Sequence, residues 1–240
     1  MIAAGGTGGH VYPGLAVARA LEAQGIKVVW IGTRKGLEAR VIPEAGIEMA
    51  WLNVSGLRGK GIKTLLLAPF KLVRALFEAT QLILKHKPAA VLGMGGFVAG
   101  PGCLMAAILG KPVLIHEQNA VAGLTNKLLA KVAKQVLEAF PNTFATHKKV
   151  LAVGNPVRQA ITTLPTPNER FQLRPAQLSL LVVGGSLGAL ALNENVPKAL
   201  ALLDENLRLN VLHQSGAKTL DVAQKMYAEQ GIQAEVVSYI

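Results

Sequence analysis

Short apolar runs of strand length alternate with longer helical patterns along the whole chain, and this rhythm restricts the fold more than any other feature. The strand-like runs are Lys27 to Ile31, Met49 to Asn53, Ala90 to Leu92, Pro112 to His116, Gln135 to Leu137 and Val150 to Val153. Helical stretches lie between them at Pro13 to Gln24, Ile62 to His86, Val98 to Leu109 and Gly123 to Ala133. Pro13 suits a first helical turn and Gly25 a helix end. Alternation of this kind predicts an α/β fold with a parallel, doubly wound sheet. From Pro156 to Ala176 the rhythm stops among four prolines, which reads as a linker. A second α/β unit follows: strand Leu178 to Val183, helix Gly188 to Leu203, strand Leu207 to His213, helix Thr219 to Gln230, strand Ala234 to Tyr239. The domains expected are therefore 1–155 and 177–240, joined by 156–176. Three strands make a small second sheet, and a glycine loop at residue 5 calls for a full strand before it. Truncation is expected at both ends, slight at the first and heavy at the last.

Charge is distributed unevenly. Residues 1–155 hold 18 Lys and Arg against 7 Glu, the whole excess of +11, whereas residues 156–240 hold 7 cations against 7 anions. No aspartate precedes Asp204. With 51% hydrophobic residues and one cysteine, Cys103, the chain is neither disordered nor disulfide-stapled, and no Cys/His cluster offers a structural zinc site. The 23 uncharged residues from Pro88 to Gly110 could span a bilayer by length, but six glycines and two prolines split them into strand, loop and helix. Met1 to Gly5 lacks the basic and apolar regions of a signal peptide. A protein of a reducing cytoplasm, soluble or bound peripherally to a membrane, is expected.

Three strand-to-helix turns are rich in glycine: Gly5-Gly6-Thr7-Gly8-Gly9-His10, Gly93-Met94-Gly95-Gly96-Phe97 and Gly184-Gly185-Ser186-Leu187-Gly188-Ala189. Such turns let backbone approach a ligand, and the following helix offers N–H groups and a positive dipole end to phosphate. Tight packing without a ligand explains one loop equally well; three favour phosphate or diphosphate binding. A nicotinamide or flavin enzyme is excluded by the dinucleotide fingerprint G-x-G-x-x-G/A. Val11 and Val98 stand where the third small residue belongs, and Ile31-Gly32-Thr33-Arg34-Lys35 brings no acid to the ribose position. No P-loop sequence occurs.

Six segments then occur in a telling order: Gly5 to Gly14, Ser55 to Gly61, Gly93 to Phe97, His116-Glu117-Gln118-Asn119, Gly154 to Arg158 and Gly184 to Ser186. In that order they resemble the MurG family, the UDP-N-acetylglucosamine transferases of bacterial peptidoglycan synthesis. The resemblance implies a GT-B fold, two Rossmann-like domains facing a cleft, with the second truncated here. It implies an inverting transfer of N-acetylglucosamine from UDP to the C4 hydroxyl of the muramoyl sugar of lipid I, giving lipid II. It also implies a place on the cytoplasmic face of the plasma membrane, beside other cell-wall synthesis proteins. No Asp-x-Asp occurs, so no metal cofactor is expected; helix N-termini can neutralise the leaving UDP.

Carried over residue by residue, Thr7, Gly8, Gly9 and His10 match the family's first loop, which faces the reaction centre. His10 is the leading candidate for general base; the alternative is a helix-capping or substrate-orienting role. Glu117 is the other candidate base, or else it orders the loop carrying Asn119, which matches a sugar- or hydroxyl-contacting position. Gly95 and Gly96 fall in the second loop and count with the substrate-binding residues. Arg158 and Ser186 match donor-side positions, and Ile240 falls where a backbone contact to uracil is made. Phe97 stands where some members carry Tyr. The acidic segment that completes the donor site lies beyond Ile240. His86 and His147, among lysines, read as solvated surface, and His213 as structural.

The stretch Ile62 to Arg74 combines large apolar residues with Lys63, Lys71 and Arg74. It is either core-facing or an interfacial patch suited to an anionic leaflet. Nucleic acid is not expected as a partner, since no aromatic-rich RNA motif accompanies the charge. The reading from another class is a non-catalytic, membrane-associated lipid-diphosphate-binding module, or one half of a split glycosyltransferase.

Overall fold

The structure, a computed structural model, describes residues 1–54, 68–145, 147–172, 178–185, 188–204, 207 and 209–240. Two compact units, Met1–Leu164 and Pro165–Ile240, divide the chain. In the first, strands β1 (Ile2–Ala4), β2 (Val29–Gly32), β3 (Glu48–Trp51), β4 (Val91–Gly95), β5 (Val113–Glu117), β6 (Gln135–Glu138) and β7 (Val150–Ala152) form one sheet. Its order is β3-β2-β1-β4-β5-β6-β7, and every pairing is parallel. The connecting helices are α1 (Gly8–Glu22), α2 (Glu38–Glu44), α3 (Ala68–His86), α4 (Gly96–Ile108) and α5 (Leu124–Leu129), followed by α6 (Gln159–Thr162). In the second unit, α7 (Pro167–Gln172) precedes β8 (Ser179–Val183), α8 (Leu190–Leu200), β9 (Asn210–Gln214), α9 (Leu220–Glu229) and β10 (Glu235–Val237). Those three strands pair in parallel in the order β10-β9-β8.

Alternating side chains split the first unit's core into two layers. Ile2 and Ala4 of β1 join Val11, Ala18, Trp30, Ile42 and Met94 on one face, under α1 and α2. Ala3, Ile31, Val91 and Ile115 join Ala79, Ile83, Val98 and Cys103 on the other, under α3 and α4. Both faces of a parallel sheet are thus covered, as the right-handed crossovers of such sheets require. Although β1 has three residues, it pairs with β2 and β4 on its two sides, which buries it completely. The run from Pro88 to Gly110 is β4 and α4. Among the described residues no helix is long and apolar enough to cross a membrane.

The elements depart from expectation where local chemistry outweighs periodicity. Helix α1 starts at Gly8, ahead of Pro13, because the Thr7 carbonyl already accepts the N–H groups of His10 at 3.1 Å and Val11 at 3.2 Å. Pro13 therefore sits inside the helix. Helix α2 escapes a periodicity search because seven residues, Pro43 among them, bury only Glu38 and Ile42. Between 156 and 176, α6 and α7 replace unbroken linker. The Thr166 N–H and Oγ1 donate to Glu169 at 2.7 and 2.8 Å, with Pro167 opening the helix, a capping box that proline count alone obscures. His86 is not solvated surface: its side chain is 11% exposed and Nδ1 lies 3.6 Å from Glu48.

Among the described residues the largest fully buried side chain is Trp30, whose Nε1–H donates to the Ala4 carbonyl at 2.9 Å. Gly14 of α1 is pressed against it: a Cβ there would come within 2.6 Å of the indole. We expect Trp30→Ala to cost about 3–5 kcal/mol, the usual range for emptying an aromatic site. Urea denaturation of both proteins measures it, and a loss under 1 kcal/mol would contradict the packing described.

Candidate functional site

In an open parallel sheet, ligands bind beyond the carboxyl ends of the strands where the strand order reverses. Here that point lies between β1 and β4, and the segments picked out in the sequence emerge beside it. The first glycine loop leaves β1, Gly95 and Gly96 leave β4, and Glu117-Gln118-Asn119 leaves β5. The loop carrying Gly154 and Asn155 follows β7 and returns to the end of β5, where Asn155 Nδ2 donates to the Gln118 carbonyl at 3.1 Å.

His10 occupies the first turn of α1 and is half-buried. Its Nδ1 lies 2.9 Å from Gln118 Oε1, and no described hydrogen bond engages its Nε2. Glycine makes this pose possible. A Cβ on Gly95 (φ +97°) would fall 2.9 Å from the imidazole, and one on Gly96 (φ +77°) would fall 2.4 Å from the Gly5 carbonyl oxygen. Both glycines also hold backbone conformations costly to any other residue. The second loop thus uses its glycines for clearance around His10 and the first loop.

Glu117 is buried, and its carboxylate takes four hydrogen bonds. Oε1 accepts from the Asn119 N–H at 3.1 Å and Asn119 Nδ2 at 2.8 Å, while Oε2 accepts from the Gly123 N–H at 3.1 Å and Asn126 Nδ2 at 2.9 Å. Burial by itself would raise this carboxyl's pKa; the four donors, Asn119 foremost, outweigh burial and hold it below the ordinary carboxylate value. Asn119 is exposed, with its amide nitrogen committed to Glu117. His116 and Gln118 are buried beside it, and the His116 pKa is lowered chiefly by burial.

A second buried carboxylate, Glu38, escaped the sequence reading. It accepts from the Gly6 N–H at 3.0 Å, the Thr33 N–H at 3.0 Å and Thr33 Oγ1 at 2.8 Å, tying the first loop to the end of β2. The Gly6 N–H is thereby withdrawn from any phosphate, a difference from the cradle expected of this loop. Helix α2 is too short to show a period in the sequence, so nothing there marks Glu38 as inward-facing. Gln118 and His116 lie in the His116-Glu117-Gln118-Asn119 segment, and their places on either side of Glu117 at the end of β5 are the available signal for a role.

Thr7, the N-cap of α1, and Gly9 are exposed at the helix start, while a Cβ on Gly8 would touch the Tyr12 ring at 3.2 Å. Arg158 belongs to the first unit, its guanidinium 5.4 Å from the centre of the Tyr12 ring, two residues past His10. Ser186 lies outside the described residues, as do Ser55 to Gly61 and Lys63. Ile240 is exposed after β10. In the second unit, Gln214 ties down the third loop, accepting from the Gly185 N–H at 2.9 Å and donating to the Gly185 and Ser238 carbonyls at 3.0 Å. His213 is buried with Nδ1 3.0 Å from the Tyr227 hydroxyl, and burial lowers its pKa, as befits a packing residue. Among the described residues no three His, Cys, Asp or Glu side chains gather as a metal's ligands.

Helix α3 carries a surface of a different kind. Ala75, Ala79 and Ile83 face the core, while Phe70, Leu72, Val73 and Phe77 are 52–75% exposed beside Lys71 and Arg74. Both phenylalanines of the helix point away from the core. Arg74 is paired with Glu78 at 2.8 Å.

Comparison with known proteins fits this geometry. The model of the glycosyltransferase family 28 N-terminal domain matches residues 1–138, and that of the family's C-terminal domain matches 179–240. The chain is 52% identical over 240 residues to the UDP-N-acetylglucosamine–N-acetylmuramyl-(pentapeptide) pyrophosphoryl-undecaprenol N-acetylglucosamine transferase of Hahella chejuensis, covering all of this chain and 66% of that protein. It is 53% identical to the Alkalilimnicola ehrlichii protein of the same name, covering 67% of it. The crystal structure of Acinetobacter baumannii MurG superposes on the full chain with a TM-score of 0.72 at 43% identity, 66% of that chain being covered. The chain thus spans about two thirds of the length of the relatives it matches.

Glu117 supplies a test of the site's construction. Its depressed pKa means that its contribution is present above the unfolded carboxyl's value of 4.5 and is lost as the pH falls through the lower folded value. Glu117→Gln, which turns an amide N–H toward donors, should lose about 2–3 kcal/mol near neutral pH. Urea denaturation of both proteins at pH 7 and pH 4 should show the gap narrowing in acid. A gap that stays constant or widens would contradict a charged, hydrogen-bonded Glu117.

Proposed function

The chain belongs to glycosyltransferase family 28, within its MurG members, and we propose that it serves an inverting transfer of N-acetylglucosamine from UDP to the C4 hydroxyl of the muramoyl sugar of lipid I, forming lipid II. The observation that carries this reading is the identity of about half of all positions, end to end, to transferases named for that donor and that undecaprenyl acceptor. In this reading residues 1–155 are the acceptor and membrane-associating domain, 156–176 the linker, and 177–240 part of the UDP-N-acetylglucosamine domain.

The chemistry needs one proton acceptor and a stabilised leaving group. His10 Nε2 takes the proton of the attacking hydroxyl as its oxygen bonds to the anomeric carbon; the bond from that carbon to the UDP oxygen breaks, and its electron pair leaves with UDP. The site's location supports His10, which stands at the switch point with no hydrogen bond to Nε2 among the described residues. Glu117 is assigned to ordering the loop of Asn119, because four donors already saturate its carboxylate. Asn119 contacts the acceptor sugar, and Thr7, Gly8 and Gly9 shape the approach to His10. Gly95 and Gly96 hold the ring's clearance. Arg158 and Ser186 meet the donor's phosphates, with Ile240 at the uracil. No metal is required, since helix N-termini and Arg158 supply positive potential.

The exposed Phe70, Leu72, Val73 and Phe77, on a domain that holds the entire positive excess, support attachment to the anionic cytoplasmic leaflet, where the lipid acceptor lies.

Two experiments test the reading. In the full reading frame that contains this chain, His10→Ala should lower the turnover of radiolabelled N-acetylglucosamine onto lipid I by roughly 10²-fold or more. The KM for UDP-N-acetylglucosamine should move little, and EDTA should not slow the parent enzyme. An unchanged turnover number sinks the base assignment. The chain should also co-sediment with phosphatidylglycerol vesicles at low salt and less at high salt, where charges are screened within about 3–10 Å. Changing Phe70 and Phe77 together to Ser should weaken it; binding indifferent to both salt and substitution would refute the membrane assignment.

A further inference from the structure

We infer that Gln118 and His116 are positioning residues that lock His10 as its Nδ1–H tautomer and so leave the Nε2 lone pair for the hydroxyl proton. The catalytic use of that lone pair rests on reading His10 as the base; the tautomer follows from hydrogen bonding alone. Two backbone carbonyls, which can only accept, set the polarity of the whole chain of contacts. His116 Nε2 lies 2.9 Å from the Gly154 carbonyl, so Nε2 carries the hydrogen. Gln118 Nε2 lies 3.1 Å from the His116 carbonyl, so that end of the amide is the NH₂ and the other end is the oxygen. The same NH₂ lies 3.0 Å from His116 Nδ1, which must therefore accept, and the His116 ring is neutral. Gln118 Oε1 then faces His10 Nδ1 at 2.9 Å and can only accept from it.

Neutral imidazole in water favours the opposite tautomer, with the hydrogen on Nε2. In that form His10 would offer the acceptor hydroxyl a donor instead of a lone pair. The relay reverses the preference, and its backing is stiff. Gln118 is 8% exposed and His116 2%; Asn126 Nδ2 donates to the His116 carbonyl at 3.1 Å, and Asn155 Nδ2 to the Gln118 carbonyl at 3.1 Å. Burial, the largest influence on His116, lowers its pKa, although the Gly154 contact and Glu117 pull the other way. An amide at position 118 sets the tautomer without the negative charge by which a carboxylate would favour a protonated imidazole. When Nε2 takes the hydroxyl proton, Nδ1–H remains bonded to Oε1, so the amide dipole faces the new imidazolium.

Long-range proton–nitrogen correlation NMR on the ¹⁵N-histidine-labelled chain at neutral pH reads the tautomer without any activity, with His10→Gln identifying the signals. The expected spectrum shows His10 with Nδ1 protonated and Nε2 bare. Gln118→Leu should shift it toward the Nε2–H form, whereas Gln118→Glu, which still accepts, should keep Nδ1–H. A wild-type His10 in the Nε2–H or averaged form overturns the inference, and this spectrum decides even if Gln118→Leu fails to fold. A folded Gln118→Leu chain, checked by thermal melting, that keeps the wild-type tautomer also overturns it. In the full reading frame, Gln118→Leu should lower kcat by roughly tenfold or more with the donor KM nearly constant, as a wrong tautomer does elsewhere. A lost tautomer with unchanged kcat overturns the base reading and the catalytic half of this inference, while the relay stands.

Discussion

Four N–H donors converge on the Glu117 carboxylate, and the order of the sheet's carboxyl edge depends on that convergence. A buried carboxylate without partners would be untenable, so the chain after β5 must bend back to deliver the Asn119 and Gly123 N–H groups and the start of α5 must present Asn126. Once bent, the segment places Gln118 between His116 and His10. A neighbouring residue is thereby held by a carboxylate it never touches. The same logic operates at Glu38, which pins the Gly5–Gly6 turn to the end of β2 and so sets where α1 begins.

Glycine has two distinct uses in this protein. In the first two loops it removes Cβ atoms that would strike His10, the Gly5 carbonyl or the Glu38 carboxylate. Those contacts are internal, and they explain the residues without any phosphate. The loops therefore act less as cradles than as clearances that let an imidazole stand at the switch point. In the second unit Gly188 plays the same part, since a Cβ there would fall 2.2 Å from the Ser215 carbonyl. At Gly185, φ is +78°, and no described residue would meet a Cβ there, so the backbone conformation is what calls for glycine.

Helix α3 shows how a hydrophobic count can mislead about burial. Its inward stripe is Ala75, Ala79 and Ile83, whose two alanines let the helix pack against α4, while its phenylalanines stay in contact with solvent. Packing selects small residues where helices approach closely. The bulky apolar groups left outside, together with nearby cations, form the exposed patch on which the proposed leaflet attachment rests.

Much of the architecture was written in the sequence. Strand-length runs alternating with helical patterns dictate a parallel α/β sheet because a parallel crossover needs a helix, and glycine after a strand marks the turn at its carboxyl end. The motifs around His10, Gly95, Glu117 and Gly154 could therefore be assigned to loops, and their order indicated the family. Short elements were not legible: β1 and α2 are too brief for a period, and α1 begins before its proline because Thr7 supplies the first carbonyl. What only the tertiary structure decided is which loops meet. Strand order sets His10 beside Gly95 across 85 residues of chain and beside Gln118 across 108, and no local spacing encodes those distances. Whether a glutamate is a base or a buried anchor, and which nitrogen of a histidine holds its hydrogen, depends on donors and acceptors brought in by other strands.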